Sequence, residues 1–180
     1  MAIIIKPLSE SDLGLPVLIR NEFTVDSVLQ LTMQDNLIRY EIIPIPAYTK
    51  RYPEEPEDRL HLAEFMNDPD KLLVIARTEQ AIIGLAAAST NWNRLALLEE
   101  LSVDIDYRRH GLGRSLLDRV KEWAQARRLA GMTLETQHNN VQACKFYERY
   151  GFKIGGFDRY VYKTFESSKD EIALYWYLMF

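Results

Sequence analysis

A chain of 180 residues, 47% hydrophobic and 27% charged, has the material for one folded domain with a sizeable core, which excludes a disordered or low-complexity protein. Its 22 basic and 26 acidic residues leave a formal charge of −4, which argues against a nucleic-acid footprint and fits a cationic partner better. A single cysteine, Cys144, and three histidines exclude a disulfide framework and leave little for a metal site, so no metal and a reducing, cytoplasmic setting are expected.

The opening segment lacks the charged flank and apolar stretch of a secretion signal, and no run approaches the roughly 20 apolar residues that cross a bilayer, so no membrane partner is expected. Ile3 to Ile5 form a β-branched run ended by Lys6-Pro7, a first strand. Ser9 or Ser11 would cap a helix to about Arg20, against the opposition of Gly14 and Pro16. Residues 23–48 give no clear signal beyond a strand at Ile38 to Ile43, stopped by Pro44 and Pro46. Glu54, Glu55, Glu57 and Asp58 make an acidic stretch, read either as a solvated loop leading into a helix to Asn67 or as a negative rim.

Leu72 to Arg77 and Ala81 to Ala88 read as an antiparallel hairpin, and a turn at Trp92 to Arg94 leads into a buried strand, Leu97 to Val103. Beyond Gly113, the apolar positions Leu116, Leu117, Val120, Trp123 and Ala124 recur at helical spacing to about Arg128. Gly131 ends that segment, and Met132 to Thr136 is a strand that should return parallel to 97–103 by a right-handed crossover. A second helix starts at Asn139 or Asn140, with Asn139 and Gln142 as a capping box, and ends at Gly151-Phe152. Two aromatic-rich runs, Phe152 to Phe165 and Ala173 to Phe180, would close the sheet as an antiparallel pair. No linker or repeat divides the chain, so one domain over 1–180 is expected, with a mixed α+β sheet that is mostly antiparallel and has helices on both faces.

Leu97 to Arg114 is the segment with chemistry in it. A buried strand carries two carboxylates, Glu99 and Glu100, and runs through a basic loop into glycines at a helix mouth. Such a loop can approach a ligand closely, and the free N–H groups of the first helical turn suit phosphate oxygens. A dinucleotide fingerprint needs a third glycine where Leu116 stands, and a nucleoside-triphosphate loop needs Gly-Lys-Ser or Gly-Lys-Thr where the chain has Gly113-Arg114-Ser115. Both fail, which leaves the pattern Arg108-x-x-Gly111-x-Gly113 after a Leu-x-Val strand.

That pattern resembles the GNAT superfamily of acetyl-CoA-dependent N-acetyltransferases. A second block at the family's spacing, with Asn140, Ala143, Phe146, Tyr147, Gly151 and Phe152, joins it. Longer stretches around Thr90 to Val103, Leu134 to Tyr147 and the terminal Ala173 to Phe180 are similar to streptothricin acetyltransferases, which acetylate an amine of the β-lysine moiety of streptothricin-class antibiotics. The resemblance implies a GNAT fold with acetyl-CoA as co-substrate. Backbone groups of Leu101, Ser102 and Val103 would pair with the pantetheine, and the loop from Arg108 through Arg109, His110, Gly111, Leu112, Gly113 and Arg114 to Ser115 would hold the pyrophosphate. Asn140 and Ala143 would lie along the pantetheine arm.

An alkyl amine, with a pKa of about 10.4, arrives protonated and must lose a proton before it attacks a thioester. Strand side chains alternate, so only one of the two glutamates should meet the substrate. The family places its base two residues before the Leu-x-Val leucine, which is Glu99 here, with Glu100 in reserve; a β-bulge would upset that parity. Tyr147 is the expected acid for the departing thiolate. Aromatic and acidic residues such as Trp92, Tyr48, Tyr52, Glu54 and Glu55 suit a cationic acceptor, whether streptothricin, a protein amino terminus or a polyamine. A non-catalytic acetyl-CoA-binding module on the same fold, and a monomer or a homodimer, remain alternatives at this stage.

Overall fold

In the computed structural model, residues 2–51 and 62–180 are described. The elements in chain order are β1 (Ile4–Pro7), β2 (Phe23–Gln34), β3 (Leu37–Lys50), β4 (Lys71–Arg77), β5 (Ile82–Thr90), β6 (Ala96–Val103), α1 (Leu112–Ala126), β7 (Gly131–Gln137), α2 (Val141–Tyr150), β8 (Lys153–Asp158) and β9 (Ala173–Met179). The chain divides into two compact units, one of Met1–Glu22, Arg51–Met132 and Phe180, the other of Phe23–Lys50 and Thr133–Met179. Tyr52, Glu54, Glu55, Glu57 and Asp58, the segment read as an acidic loop or rim, lie outside the described residues.

In the first unit β1 pairs with β4, β4 with β5 and β5 with β6, each antiparallel. Val74 to Ala76 and Ile82 to Ala88 are buried at successive positions where the sequence shows two apolar runs, apart from Gly84 no side chain being smaller than alanine. Leu73, Ile75, Ile82, Leu85 and Ala87 pack with Phe65, and Leu8, Leu15 and Ile19 lie against this cluster. Helix α1 packs on β4, β5 and β6 with Leu112, Leu116, Leu117, Val120 and Ala124 buried, the spacing expected of one apolar helix face. Leu116 is fully buried, so Leu116→Ala should lower stability by about 2–5 kcal/mol, measured as a fall in denaturant midpoint at unchanged slope.

The helix expected from Ser9 to Arg20 does not form. A single 3-10 turn at Glu10–Asp12 follows Ser9, and the chain then lies beside β5, with Ile82 N–H donating to Pro16 O and Leu18 N–H to Ile82 O, both at 2.9 Å. Pro16 disfavours helical backbone at the residue before it and brings no N–H of its own, so pairing with a strand satisfies this stretch better.

In the second unit β2 and β3 form a long antiparallel hairpin where the sequence shows only a short strand at 38–43. Asp35 and Asn36 turn it with φ of 52° and 60°, the left-handed pair that a two-residue hairpin loop needs. Pro44 and Pro46 do not stop β3. The register slips between Val25 and Ser27, so that Ile45, Pro46 and Ala47 face Asp26 alone, which takes Pro46 out of the regular ladder.

Helix α2 starts at Asn140, whose Oδ1 accepts from Ala143 N–H at 3.2 Å, so the cap is Asn140 and not an Asn139 and Gln142 box. It ends at Gly151, whose φ of 117° is a left-handed stop that a side chain would strain. Strands β7, β9 and β8 are neighbours in that order, and β8 pairs antiparallel with β9 as expected. The aromatic run is not all strand: β8 stops at Asp158 and Tyr160 to Phe165 lie in turns. Trp176 of β9 is 1% exposed and donates its indole N–H to Thr136 Oγ1 at 2.9 Å, which satisfies the one polar atom it buries.

Candidate active site

Strand β6 does not keep simple alternation. Opposite β5, Ala88 pairs with Leu98 and Ala87 with Glu100, so Glu99 is the extra residue of a β-bulge. Because Ala87 and Ala88 point to opposite faces, Leu98 and Glu100 do too. Glu99 is exposed and accepts a hydrogen bond from the Ser89 hydroxyl. Glu100 is half-buried, on the same face as Ser102, whose hydroxyl donates to it at 2.7 Å. Burial pushes the Glu100 carboxyl above the usual glutamate range, and the Ser102 hydrogen bond offsets only part of that.

Beyond β6 the loop is braced by two residues. Asp104, 4% exposed, accepts from the backbone N–H, Nε and Nη2 of Arg20 at 3.0, 2.9 and 2.8 Å, and from Asp106 N–H at 3.1 Å. Arg108, one of the residues expected at phosphate, donates from Nε to Val103 O at 2.9 Å, from Nη1 to Glu22 O at 2.8 Å and from Nη2 to Arg20 O at 3.0 Å. Its guanidinium therefore ties the loop to the 20–22 segment. Arg109 and His110 are exposed at the turn, with Arg109 at φ 68°.

Gly111 caps α1 with φ 83°, and a Cβ there would meet nothing within 4 Å, so the backbone lies open. The first helical hydrogen bond runs from Ser115 N–H to Gly111 O at 3.0 Å. The amides of Leu112 and Gly113, ahead of that bond, lie at the positive end of a 15-residue dipole.

The Arg20 pair holds the Asp104 carboxyl well below the usual aspartate range, despite an opposing effect of burial. A carboxyl depressed in the fold contributes stability that is complete above its unfolded pKa, about 3.9, and is lost as pH falls from there towards the folded value. Asp104→Asn should lower stability at pH 7 and flatten its decline below about pH 4, seen by thermal melts across that window.

In the second unit, α2 brings Asn140, Ala143 and Tyr147 onto one helix. Tyr147 is 8% exposed, and its ring meets Phe146 and Phe152 edge-on at 5.1 and 5.7 Å. Burial pushes its phenol far up, with Cys144 adding to the shift, so it is protonated at neutral pH. Cys144 is fully buried beside Thr136 Oγ1 at 3.4 Å and is pushed up to about 11, which keeps it a thiol.

Residues that sequence reading passed over also gather in this unit. Asn139, taken only as a helix cap, donates to Tyr48 Oη and to Glu171 Oε1, both at 3.1 Å, and Lys50 pairs with Glu171. His138 accepts the Ile172 N–H at Nδ1 at 3.1 Å, and burial lowers its pKa, so the ring is neutral. Among the described residues no group of three metal-ligating side chains converges, and no helix is long and apolar enough to cross a membrane.

The first unit thus holds a bulged strand with a raised carboxyl and an open glycine-capped helix, and the second a helix with a buried phenol. Residues 37–152 match the acetyltransferase (GNAT) family, and the chain belongs to it, with the mixed α+β fold expected from its motifs. A streptothricin acetyltransferase of Escherichia coli is 33% identical over 157 residues, 87% of this chain and 85% of its own length. One from Bacillus subtilis is 35% identical over 133 residues, 74% of each chain. A solved structure from Bacillus anthracis, provisionally assigned as a streptothricin acetyltransferase and in complex with acetyl coenzyme A, superposes with a TM-score of 0.88 at 40% identity, over 100% of this chain and 98% of that one.

Proposed function

We propose that this protein, as a single cytoplasmic domain over 1–180, transfers the acetyl group of acetyl-CoA to an amine of the β-lysine moiety of streptothricin-class antibiotics and so inactivates them. The observation that carries the proposal is the extent of the likeness: the match to the Bacillus anthracis structure runs over the whole chain and is not confined to the segment 37–152 common to the family. A buried free Cys144 fits a reducing compartment.

The residues present fit acetyl-CoA as co-substrate. The helix start at Leu112 and Gly113 and the open backbone at Gly111 suit its pyrophosphate, with the exposed Arg109 adding charge. Leu101, Ser102 and Val103 lie on β6 just before this loop, where the backbone would pair with the pantetheine in the manner of an added strand. Asn140 and Ala143, on the first turn of α2, would contact the same arm.

For the transfer, a carboxylate takes the proton of the arriving ammonium. Glu100 suits this better than Glu99, because burial brings its affinity for a proton closer to the working pH while Glu99 stays exposed. The freed nitrogen attacks the thioester carbonyl, a carbon–nitrogen bond forms and the carbon–sulfur bond breaks. Tyr147 gives its phenol proton to the leaving thiolate, and the second proton that the nitrogen sheds as the amide forms restores the phenol. The attack is direct within a ternary complex; Cys144, buried and protonated, is no nucleophile.

The experiment that tests the assignment is a panel of amines with acetyl-CoA: streptothricin, spermidine and a peptide amino terminus. The highest kcat/KM is expected for streptothricin. A peptide or polyamine preferred by a hundredfold would replace the acceptor while leaving the family intact.

A further inference from the structure

Gly84 shows which side of β5 helix α1 covers, since a Cβ there would lie 3.4 Å from Leu116 Cδ1. Alternation puts Ala86 and Ala88 on that side and Leu85, Ala87 and Ser89 on the other, where Leu85 and Ala87 join the cluster around Phe65. Glu100 stands opposite Ala87 and Ser102 opposite Leu85, so both side chains lie on the side away from α1. Glu99 reaches the same side, because it accepts from the Ser89 hydroxyl there. The bulge therefore brings two carboxylates to one face, each bonded to a different serine.

The two pairs are not equivalent. Ser89 sits on the neighbouring strand and meets an exposed carboxylate, where water replaces a lost hydrogen bond at little cost. Ser102 sits on β6 itself, two places beyond Glu100, and both are half-buried, with the hydroxyl donating to Glu100 Oε1 at 2.7 Å. A donor in such surroundings favours the charged carboxylate and fixes its rotamer. Of the charged groups on the strand and segments beside this face, the Lys71 ammonium lies over Phe65, 5.4 Å from the ring centre, and Asp12 pairs with Lys6 and Arg77. Arg20 pairs with Asp104 and Asp106, and Glu10 and Glu64 are exposed. Burial and the Ser102 bond are thus what act on Glu100, in opposite directions.

We propose that the Ser102 side chain is a positioning residue for the transfer: its hydroxyl holds Glu100 Oε1 and so aims the other carboxylate oxygen at the ammonium of the acceptor. This rests on the reading of Glu100 as the base and adds what readies it. The ammonium proton passes to Oε2, while Ser102 keeps its own proton and donates throughout. The hydroxyl also keeps Glu100 ionised to a lower pH than burial alone would allow, which widens the range in which the base is ready.

The test reads Glu100 twice: by its carboxyl carbon in a nuclear magnetic resonance titration of the full-length protein, and by the acid limb of kcat/KM for the preferred amine of the panel. Ser102→Ala should move both to higher pH by about one unit and lower kcat on the plateau by about three- to tenfold. The KM for acetyl-CoA should not move, since the main chain is unchanged. Ser102→Thr, which restores a hydroxyl on a side chain suited to a strand, should bring both readings back. Ser89→Ala should leave both where they are. A Glu100 titration that stays in place in Ser102→Ala, or moves equally in Ser89→Ala, overturns the role of Ser102; the Glu100 reading then stands if Glu100→Gln still abolishes the limb. A Glu100 titration that moves while the acid limb does not overturns the Glu100 reading, and with it the part of Ser102 in transfer.

Discussion

Glu100→Gln should lower kcat on streptothricin by about 10²- to 10⁴-fold, the range for loss of a positioned general base, while the protein keeps its fold. Glutamine preserves the shape and can still accept the Ser102 hydroxyl that now bonds Glu100 at 2.7 Å, but it cannot take the ammonium proton. The pH profile carries the same information. With its carboxyl raised by burial, Glu100 becomes protonated at a higher pH than an ordinary glutamate, so the acid limb of kcat/KM should lie above the usual carboxylate range and disappear in the variant. Glu99→Gln is the comparison: an exposed side chain outside the strand register should change kcat by less than about tenfold. A large loss at Glu99 with a small one at Glu100 would return the role to Glu99.

Tyr147→Phe should cost kcat by a similar factor, about 10²-fold or more, with little loss of stability. Phenylalanine keeps the edge-on contacts with Phe146 and Phe152 and removes only the hydroxyl, so a structural role alone would leave kcat nearly intact. The leaving group separates the two roles. An acetyl thioester of a more acidic thiol needs no proton to depart, so it should restore much of the Tyr147→Phe rate and none of the Glu100→Gln rate. Failure of such rescue, with the KM for acetyl-CoA raised instead, would make Tyr147 a binding residue.

The strand, glycine loop and helix from Leu97 to Ala126 were legible because each rests on a local rule: an apolar run, glycines that open the backbone, and apolar residues at helical spacing. The Asn140 to Gly151 helix was legible for the same reason, down to its left-handed glycine stop, although which asparagine caps it was not. The β2 and β3 hairpin was hidden. Pro44 and Pro46 argue against a strand, and only the pairing, with its slip at Asp26, shows how they are accommodated. Asp35-Asn36 was a turn signal that could have been read. Ser9 looked like a helix start because its cap is local, whereas the pairing of Pro16 and Leu18 with Ile82 that replaces the helix is not.

At the candidate site the residue types were legible and their environments were not. Strand parity failed at the bulge, which depends on the register against Ala87 and Ala88 and leaves no trace at Glu99 itself. Arg108 was expected at phosphate because it heads the motif; two of its three bonds to backbone carbonyls need the 20–22 segment, more than 80 residues earlier in the chain. Tyr48, Asn139 and Glu171 come together only through tertiary folding, so no spacing could announce them.

Mass spectrometry of streptothricin incubated with the purified protein and acetyl-CoA tests the central claim most directly. The expected product carries one added acetyl group, located by fragmentation on the β-lysine moiety and formed only when both protein and acetyl-CoA are present. Streptothricin recovered unmodified, while the same preparation acetylates another amine in the panel, would contradict the claim.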